Sequence, residues 1–355
     1  RPHDSSERAG ESGQGDQVKT GISQQAAATR RTVKYACALC AMLLALCSPV
    51  EAKQSKKVAR IGYLSLGAGI RANDEAFREG LRQLGYREGH NIVIEWRFVD
   101  GRSERYRDLA AELVRLKVDA IVTASGDDPI IAAMKATKTI PIVILTGSDP
   151  VARGFVASLT HPGGNVTGVS YMLHELNGKR LELLKEVVPK LVRVAILGDP
   201  DHRNYKVQMN EVKSAAQGLG LDLQPVQIRA AEDLENAFSF MAQSRAGALL
   251  VLSNPAIGFF LGTVVQFAAK TRIPGIYATP GWVSAGGLMS YAPAYADQYR
   301  RAAAYVDKIL KGTNPRDLPV ERPIKFELVI NLEAAKQIGL TIPPSVLARA
   351  DRVIK

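Results

Sequence analysis

The chain has 355 residues, of which 46% are hydrophobic and 23% charged, and its formal net charge is +11. That apolar content and length suffice for two lobes that each bury a core. All three cysteines, Cys37, Cys40 and Cys47, fall near the start, so the rest of the chain has no disulfide, zinc-thiolate site or cysteine nucleophile.

Residues 1–29 are polar and rich in Gly, Ser and Gln, and they carry no pattern of a fold. Next come Arg30, Arg31 and Lys34, an apolar stretch from Tyr35 to Cys47, and Ser48-Pro49-Val50-Glu51-Ala52. This is the order of a secretory signal peptide, with a basic start, a short apolar segment and small residues before a cleavage point after Ala52. The stretch is shorter than the ~20 residues a membrane span needs. A buried helix of the fold is the alternative. Arg30-Arg31 also permits a twin-arginine export reading, although its flanks fit that signal poorly. Leu46 before Cys47 and Leu39 before Cys40 are large where a lipid-modified cysteine needs small neighbours. Residues 1–52 are therefore read as leader plus signal peptide, and the remainder as a periplasmic protein.

Without that segment the net charge is about +10. The basic residues stand beside acidic ones, as in Arg102-Ser103-Glu104-Arg105-Tyr106-Arg107-Asp108, and no helix-turn-helix or aromatic-basic platform accompanies them. A solvated face explains them better than nucleic acid does, and attraction to an anionic membrane surface stays open.

In chain order, the pattern predicts a strand from Ala59 to Leu64, a helix from about Asn73 to Leu84 and a strand from Asn91 to Phe98. A helix from Glu104 to Leu116, a strand from Ala120 to Thr123, a helix from Asp127 to Thr137 and a strand from Ile142 to Leu145 follow, and Val166 to Ser170 leads to a second series. There the predicted strands are 193–197, 222–227, 248–252, 275–277 and 287–291, with helices 177–187, 205–219, 231–244 and 259–271 between them. A helix from Ala294 to Leu310, a strand from Ile324 to Ile330 and a helix from Leu332 to Ile338 close the chain. The apolar runs are Val/Ile-rich without strict alternation and are each followed by helical periodicity, as in parallel strands buried on both faces.

The two series repeat each other. Arg60-Ile61-Gly62-Tyr63-Leu64 corresponds to Arg193-Val194-Ala195-Ile196-Leu197, and Thr139-Ile140-Pro141 to Arg272-Ile273-Pro274, both at a spacing of about 133 residues. Leu84-Gly85-Tyr86 is likewise echoed by Leu219-Gly220-Leu221. The expected fold is α/β: two Rossmann-like lobes with parallel sheets flanked by helices, joined by a multi-strand hinge. Residues 58–167 and 292–318 form the first lobe, and 168–291 and 319–355 the second. Parallel sheets bind ligands beyond their strand tips, so facing lobes enclose a cleft between two sets of loops.

The phrases Gly80-Leu81-Arg82-Gln83-Leu84-Gly85-Tyr86, Asp149-Pro150-Val151 and Pro162-Gly163-Gly164-Asn165-Val166-Thr167-Gly168 resemble those of the ABC-transporter substrate-binding protein family, of the tryptophan/tyrosine or uncharacterised type. Gly286-Gly287-Leu288-Met289-Ser290-Tyr291, Asp317-Leu318-Pro319-Val320-Glu321 and Arg349-Ala350-Asp351 extend the resemblance over nearly all of residues 53–355. It implies a type I periplasmic-binding-protein fold, no catalysis, no cofactor or metal, a small polar or aromatic amino-acid-like solute, and a membrane permease as partner to a monomer. A sensing role before a receptor or kinase is the alternative.

Candidate solute contacts are the residues after each strand, where helix N-termini favour an anionic group. In the first lobe they are Ser65, Ser125 with Gly126, and Thr146 with Ser148 and Asp149. In the second they are Asp199, Asn204, Ser253 with Asn254, Thr279, Trp282 and Tyr291, with Asp201 beside them. The hydroxyls suit a carboxylate and Asp149 a ligand ammonium, although all of these are also ordinary helix caps. Trp282 either stacks on the solute or anchors its own loop. Asp127-Asp128 departs from the small neutral residues usual in the family, which suits a cationic or polyhydroxylated ligand or two capping carboxylates.

Enzyme readings are weaker. Gly67-Ala68-Gly69-Ile70-Arg71-Ala72 with Glu95 matches a dinucleotide fingerprint, but the predicted helix starts late and the second half lacks a matching signature. His90, His161, His174 and His202 are scattered, and no Gly-x-Ser-x-Gly elbow or His-Glu-x-x-His helix occurs.

Overall fold

A computed structural model describes residues 58–124, 126–254 and 256–355. The expected signal peptide, its three cysteines and Ser125 lie outside the described residues. Within them, no helix is long and apolar enough to cross a membrane.

The first series builds β1 (Ala59–Ser65), α1 (Ala72–Gln83), β2 (Ile92–Phe98), α2 (Tyr106–Arg115), β3 (Ala120–Thr123), α3 (Asp127–Ala136), β4 (Ile142–Thr146) and β5 (Val166–Ser170). Its sheet runs in the order β2-β1-β3-β4-β5, with every pair parallel. The second series builds α4 (Asn177–Val187), β6 (Arg193–Gly198), α5 (Tyr205–Leu219), β7 (Asp222–Gln227), α6 (Asp233–Gln243), β8 (Ala248–Val251), α7 (Leu261–Lys270), β9 (Gly275–Tyr277), α8 (Pro280–Ser284) and β10 (Met289–Pro293). Then come α9 (Tyr295–Leu310), β11 (Phe326–Asn331), α10 (Leu332–Gln337), α11 (Pro344–Leu347) and β12 (Arg352–Ile354). The second sheet runs β12-β11-β10-β9-β8-β6-β7, and its one antiparallel pair is β10 with β11.

The strands read as continuous apolar runs because both faces of each sheet are covered. In β1, Ile61 and Tyr63 join a cluster with Phe77 of α1 and Tyr299 and Val306 of α9, while Leu64 joins another with Leu113 of α2 and Ile130 of α3. In β6, Val194 and Ile196 pack with Leu184 and Val212, and Ala195 and Leu197 with Leu234 and Val264. Successive residues thus serve opposite cores. Helix α9 returns to the first lobe and lies close against α1, where a β-carbon on Gly80 would come within 2.9 Å of Ala303 Cβ.

Three crossings join the lobes, through residues 171–176, at Pro293–Ala294 and through residues 322–325. The sequence reading ends the first lobe at Thr167, but β5 continues in register to Ser170, opposite Thr146. It also gives residues 319–321 to the second lobe. Instead, Glu321 N–H donates to Gly168 O at 2.9 Å and Ser170 N–H to Glu321 O at 2.9 Å, so this segment extends the first sheet beyond β5. Backbone pairing decides both boundaries, and apolar patterning alone does not show it. Helix α11 and strand β12 were likewise not foreseen, each being too short for a periodic signal.

Trp282 lies in α8 with 5% exposure and stacks on Tyr277 at 4.9 Å and 7° between planes, inside the core of α6, α7 and β8. It is the anchor of its own loop, because Pro280 starts a helical turn that carries the indole inward rather than to the strand tips. Trp282→Ala is expected to cost about 3–5 kcal/mol of stability by denaturant unfolding. Gly168 has φ +137°, and a β-carbon there would lie 2.3 Å from Ile144 O. Gly168→Ala is expected to lose at least about 1 kcal/mol, read as a lower urea midpoint.

Candidate functional site

The strand tips of the two sheets meet. Asn204, which precedes α5, donates from Nδ2 to Ser148 Oγ beyond β4 at 2.6 Å. Arg203 Nη2 pairs with Asp128 Oδ1 at 2.8 Å, each side chain about half exposed (49% and 48%). Phe259, 61% exposed, lies against Gly101 after β2, where a β-carbon would come within 3.0 Å of the ring. These contacts bring the loops after β2, β3 and β4 to those after β6 and β8.

On the first-lobe side the polar centre is Asp127, at the start of α3. Its Oδ1 accepts from Thr146 Oγ1 at 3.1 Å and Ser148 Oγ at 2.7 Å, and its Oδ2 from Arg153 Nε at 2.9 Å. The carboxylate is 8% exposed and Arg153 27%. An acid in the first helical turn is favoured by the free N–H groups there. The hydroxyls expected to take a ligand carboxylate therefore already hold one from the chain itself. Gly126, with φ 113° and ψ −171°, turns the backbone into α3 and places Asp127 over β4.

The other first-lobe candidates divide. Ser65 is 1% exposed at the tip of β1. Asp149 accepts from Val151 N at 2.9 Å and Ala152 N at 3.2 Å. That is the turn-capping role, one of the two readings the sequence offered for it.

In the second lobe, Asp199 and Asn254 come together, Asn254 Nδ2 donating to Asp199 Oδ2 at 3.2 Å, while Asp199 Oδ1 accepts from Asp201 N. Ser253 exchanges two backbone bonds with the Gln208 amide, each 2.9 Å, which fixes the tip of β8 on α5. Thr279 caps α8 through its carbonyl, which accepts from Trp282 N at 3.3 Å. Tyr291 stacks on Phe326 at 5.9 Å, and its carbonyl, not its ring, faces the crossing. Of the thirteen sequence candidates, the structure thus gathers Thr146, Ser148 and Asn204 directly, with Gly126, Asp199 and Asn254 beside them. Trp282 stands apart in its core.

Sequence reasoning missed Arg153, Arg203 and His202 as parts of the seam. His202 is half-buried with an unpartnered Nδ1. Burial lowers its pKa, against the opposing pull of Asp127, Asp199 and Asp128. The loop from Asp199 to Asn204 was identified, but not which of its members reach across. The dinucleotide reading loses its ribose partner, since Glu95 pairs with Arg60 at 3.7 Å and Arg97 at 3.3 Å.

A family model described as ABC transporter substrate binding protein matches residues 57–354. A tyrosine-binding protein of Clostridioides difficile is 28% identical over 288 residues, 81% of this chain and 82% of the relative. Among solved structures, a protein from Streptococcus pneumonia in complex with L-Trp superposes with a TM-score of 0.76 and 27% identity, covering 83% of this chain and 99% of that one. A ligand-free, open substrate-binding protein with adhesive properties from Clostridium difficile gives 0.65 and 26%, covering 84% and 100%. A leucine-binding protein of Thermotoga maritima shares the type I periplasmic-binding-protein fold at a TM-score of 0.55, 15% identity, and coverage of 79% and 87%. With its two parallel-dominated lobes and a family match over nearly all the described residues, the chain belongs to the ABC transporter substrate-binding protein family.

Proposed function

We propose that this protein is the extracytoplasmic solute receptor of an ABC importer, that it captures an aromatic amino acid or a close analogue between its lobes, and that it hands the solute unaltered to a membrane permease. The observation that carries the reading is the seam. The bond from Asn204 to Ser148 joins loops of different sheets, so it exists only while the lobes are together. The resemblance is also greater to the L-Trp complex than to the ligand-free, open relative, 0.76 against 0.65, at nearly equal identity. Both observations support a closed arrangement that a solute would stabilise by touching both loop sets. The names of the two relatives, tyrosine-binding and L-Trp-bound, favour an aromatic amino acid.

The seam favours the ammonium end of such a solute beside Asp199 of the second lobe. Asp127 and Asp128 across the seam are already paired with Arg153 and Arg203, whereas Asp199 has hydrogen bonds but no ion pair among the described residues. A permease that recognised both lobes at once would then distinguish loaded from empty protein by shape.

Calorimetry with L-tyrosine and L-tryptophan, beside L-leucine and glucose as controls, tests the solute. Tight binding of at least one aromatic amino acid, with neither control binding, is the expected result. Binding of glucose alone would overturn it. Asn204→Ala removes one interlobe hydrogen bond worth about 0.5–1.5 kcal/mol. It is expected to weaken that binding by about 2- to 12-fold in the same measurement, with the unfolding midpoint of the solute-free protein nearly unchanged.

A further inference from the structure

The crossings between the lobes concentrate unmatched polarity. Among the described residues, ten buried side-chain polar atoms lack a hydrogen-bond partner, and six of them belong to Tyr171, Asn177, Arg180, Ser290 and Gln298. The first three lie on the segment that leaves the first sheet, the other two on the segment that returns to it. The two segments touch, since Arg180 Nε donates to Tyr291 O at 3.0 Å and the rings of Tyr171 and Tyr295 meet edge to face at 5.2 Å and 76°. Buried polar groups that the chain itself leaves unsatisfied are satisfied by water or by a ligand.

Arg180 decides the chemistry. It is fully buried, at 0% exposure, and it donates to neutral oxygens: Tyr291 O, Leu173 O at 3.2 Å and Asn177 Oδ1 at 2.7 Å. Among the described residues it makes no ion pair with a carboxylate, and the ionisable neighbours that act on it are the phenols of Tyr295 and Tyr291, which are uncharged at neutral pH. Burial pushes its pKa down to about 10, which leaves it a cation at neutral pH. A buried cation without an anion is costly, and its Nη2 still has no acceptor. Asn177, whose Oδ1 holds the guanidinium, has a free Nδ2 beside it.

This pair of donors lies beneath the seam. Leu173, whose carbonyl accepts from Arg180, donates its N–H to Gly147 O at 2.9 Å, and Ser170 Oγ donates to Ser148 O at 2.7 Å. The crossing is thus laid under the Thr146–Ser148 turn that meets Asn204 on its other side. We propose that Arg180 Nη2 and Asn177 Nδ2 form a carboxylate-binding subsite at the base of the interlobe cleft, which takes the acid group of the captured solute. The proposal rests on the solute-receptor reading and deepens it. Asp127 already fills the hydroxyl site beyond β4, so the acid group has its place at the crossing and the ammonium its place near the acidic tips.

Calorimetry of the whole protein with L-tyrosine, L-tryptophan and their carboxamides tests it, in the wild type, Arg180→Met and Asn177→Ala. The wild type is expected to bind the acids about tenfold or more tighter than the amides. In Arg180→Met the acids lose that advantage while amide binding changes by less than about threefold, and in Asn177→Ala the acid-to-amide ratio falls in the same direction. A merely structural role weakens acid and amide together, so the ratio separates the two. Circular dichroism checks folding, and Asn177→Ala carries the test should Arg180→Met not fold. Equal binding of acid and amide by the wild type, or an unchanged ratio in the folded variants, overturns the subsite and leaves the receptor reading intact. Failure of all four compounds to bind the wild type removes both the aromatic solute and the subsite.

Discussion

Three crossings of the backbone hold the two sheets tip to tip, and the rest of the molecule depends on them. They are bound to one another as well as to the lobes. Arg180 ties Leu173 O of the first to Tyr291 O just before the second, Ala294 N–H ties the second to the third at Lys325 O, and Arg322 pairs with Glu175 between the third and the first. A single tether would let the lobes wander. Three mutually bonded ones limit them to a hinge, so the same loops meet each time the tips come together.

Within that frame the two sides of the cleft are prepared differently. The first lobe buries Asp127 among two hydroxyls and a guanidinium, so the tip of β4 presents a satisfied, pre-formed surface. The second lobe braces its tips from behind, with Gln208 holding Ser253 and with Asn254 on Asp199. Fixed polar groups of this kind lower the cost of ordering a site around a small molecule. Among the described residues, six of the ten unmatched buried polar atoms lie where the lobes join.

Much of the architecture was legible in the sequence because it is periodic. The repeated Arg60–Leu64 and Arg193–Leu197 phrases, the Val/Ile runs and the return of the chain at Ala294 all follow from strands that must bury both faces. Boundaries were less legible, since Gly168 and Glu321 pair through backbone groups that any residue possesses. The site divides along the same line. Ser148 and Asn204 stood out as polar residues after strands, whereas Arg180 sits among Lys179, Glu182 and Lys185 in a helix whose charges otherwise read as a solvated face. Nothing in its local pattern shows that it alone points inward. For Trp282 the sequence left two readings open, and the helical turn begun by Pro280 selects the loop anchor by turning the ring into the core.

The pairing of Arg203 with Asp128 is half open to water, and pairs of that kind contribute about 0–1 kcal/mol and fade as salt is added. The other links at the tips, a short amide-to-hydroxyl bond and the edge of a phenyl ring against Gly101, are uncharged. The contacts between the tips therefore keep nearly the same strength from low to high ionic strength.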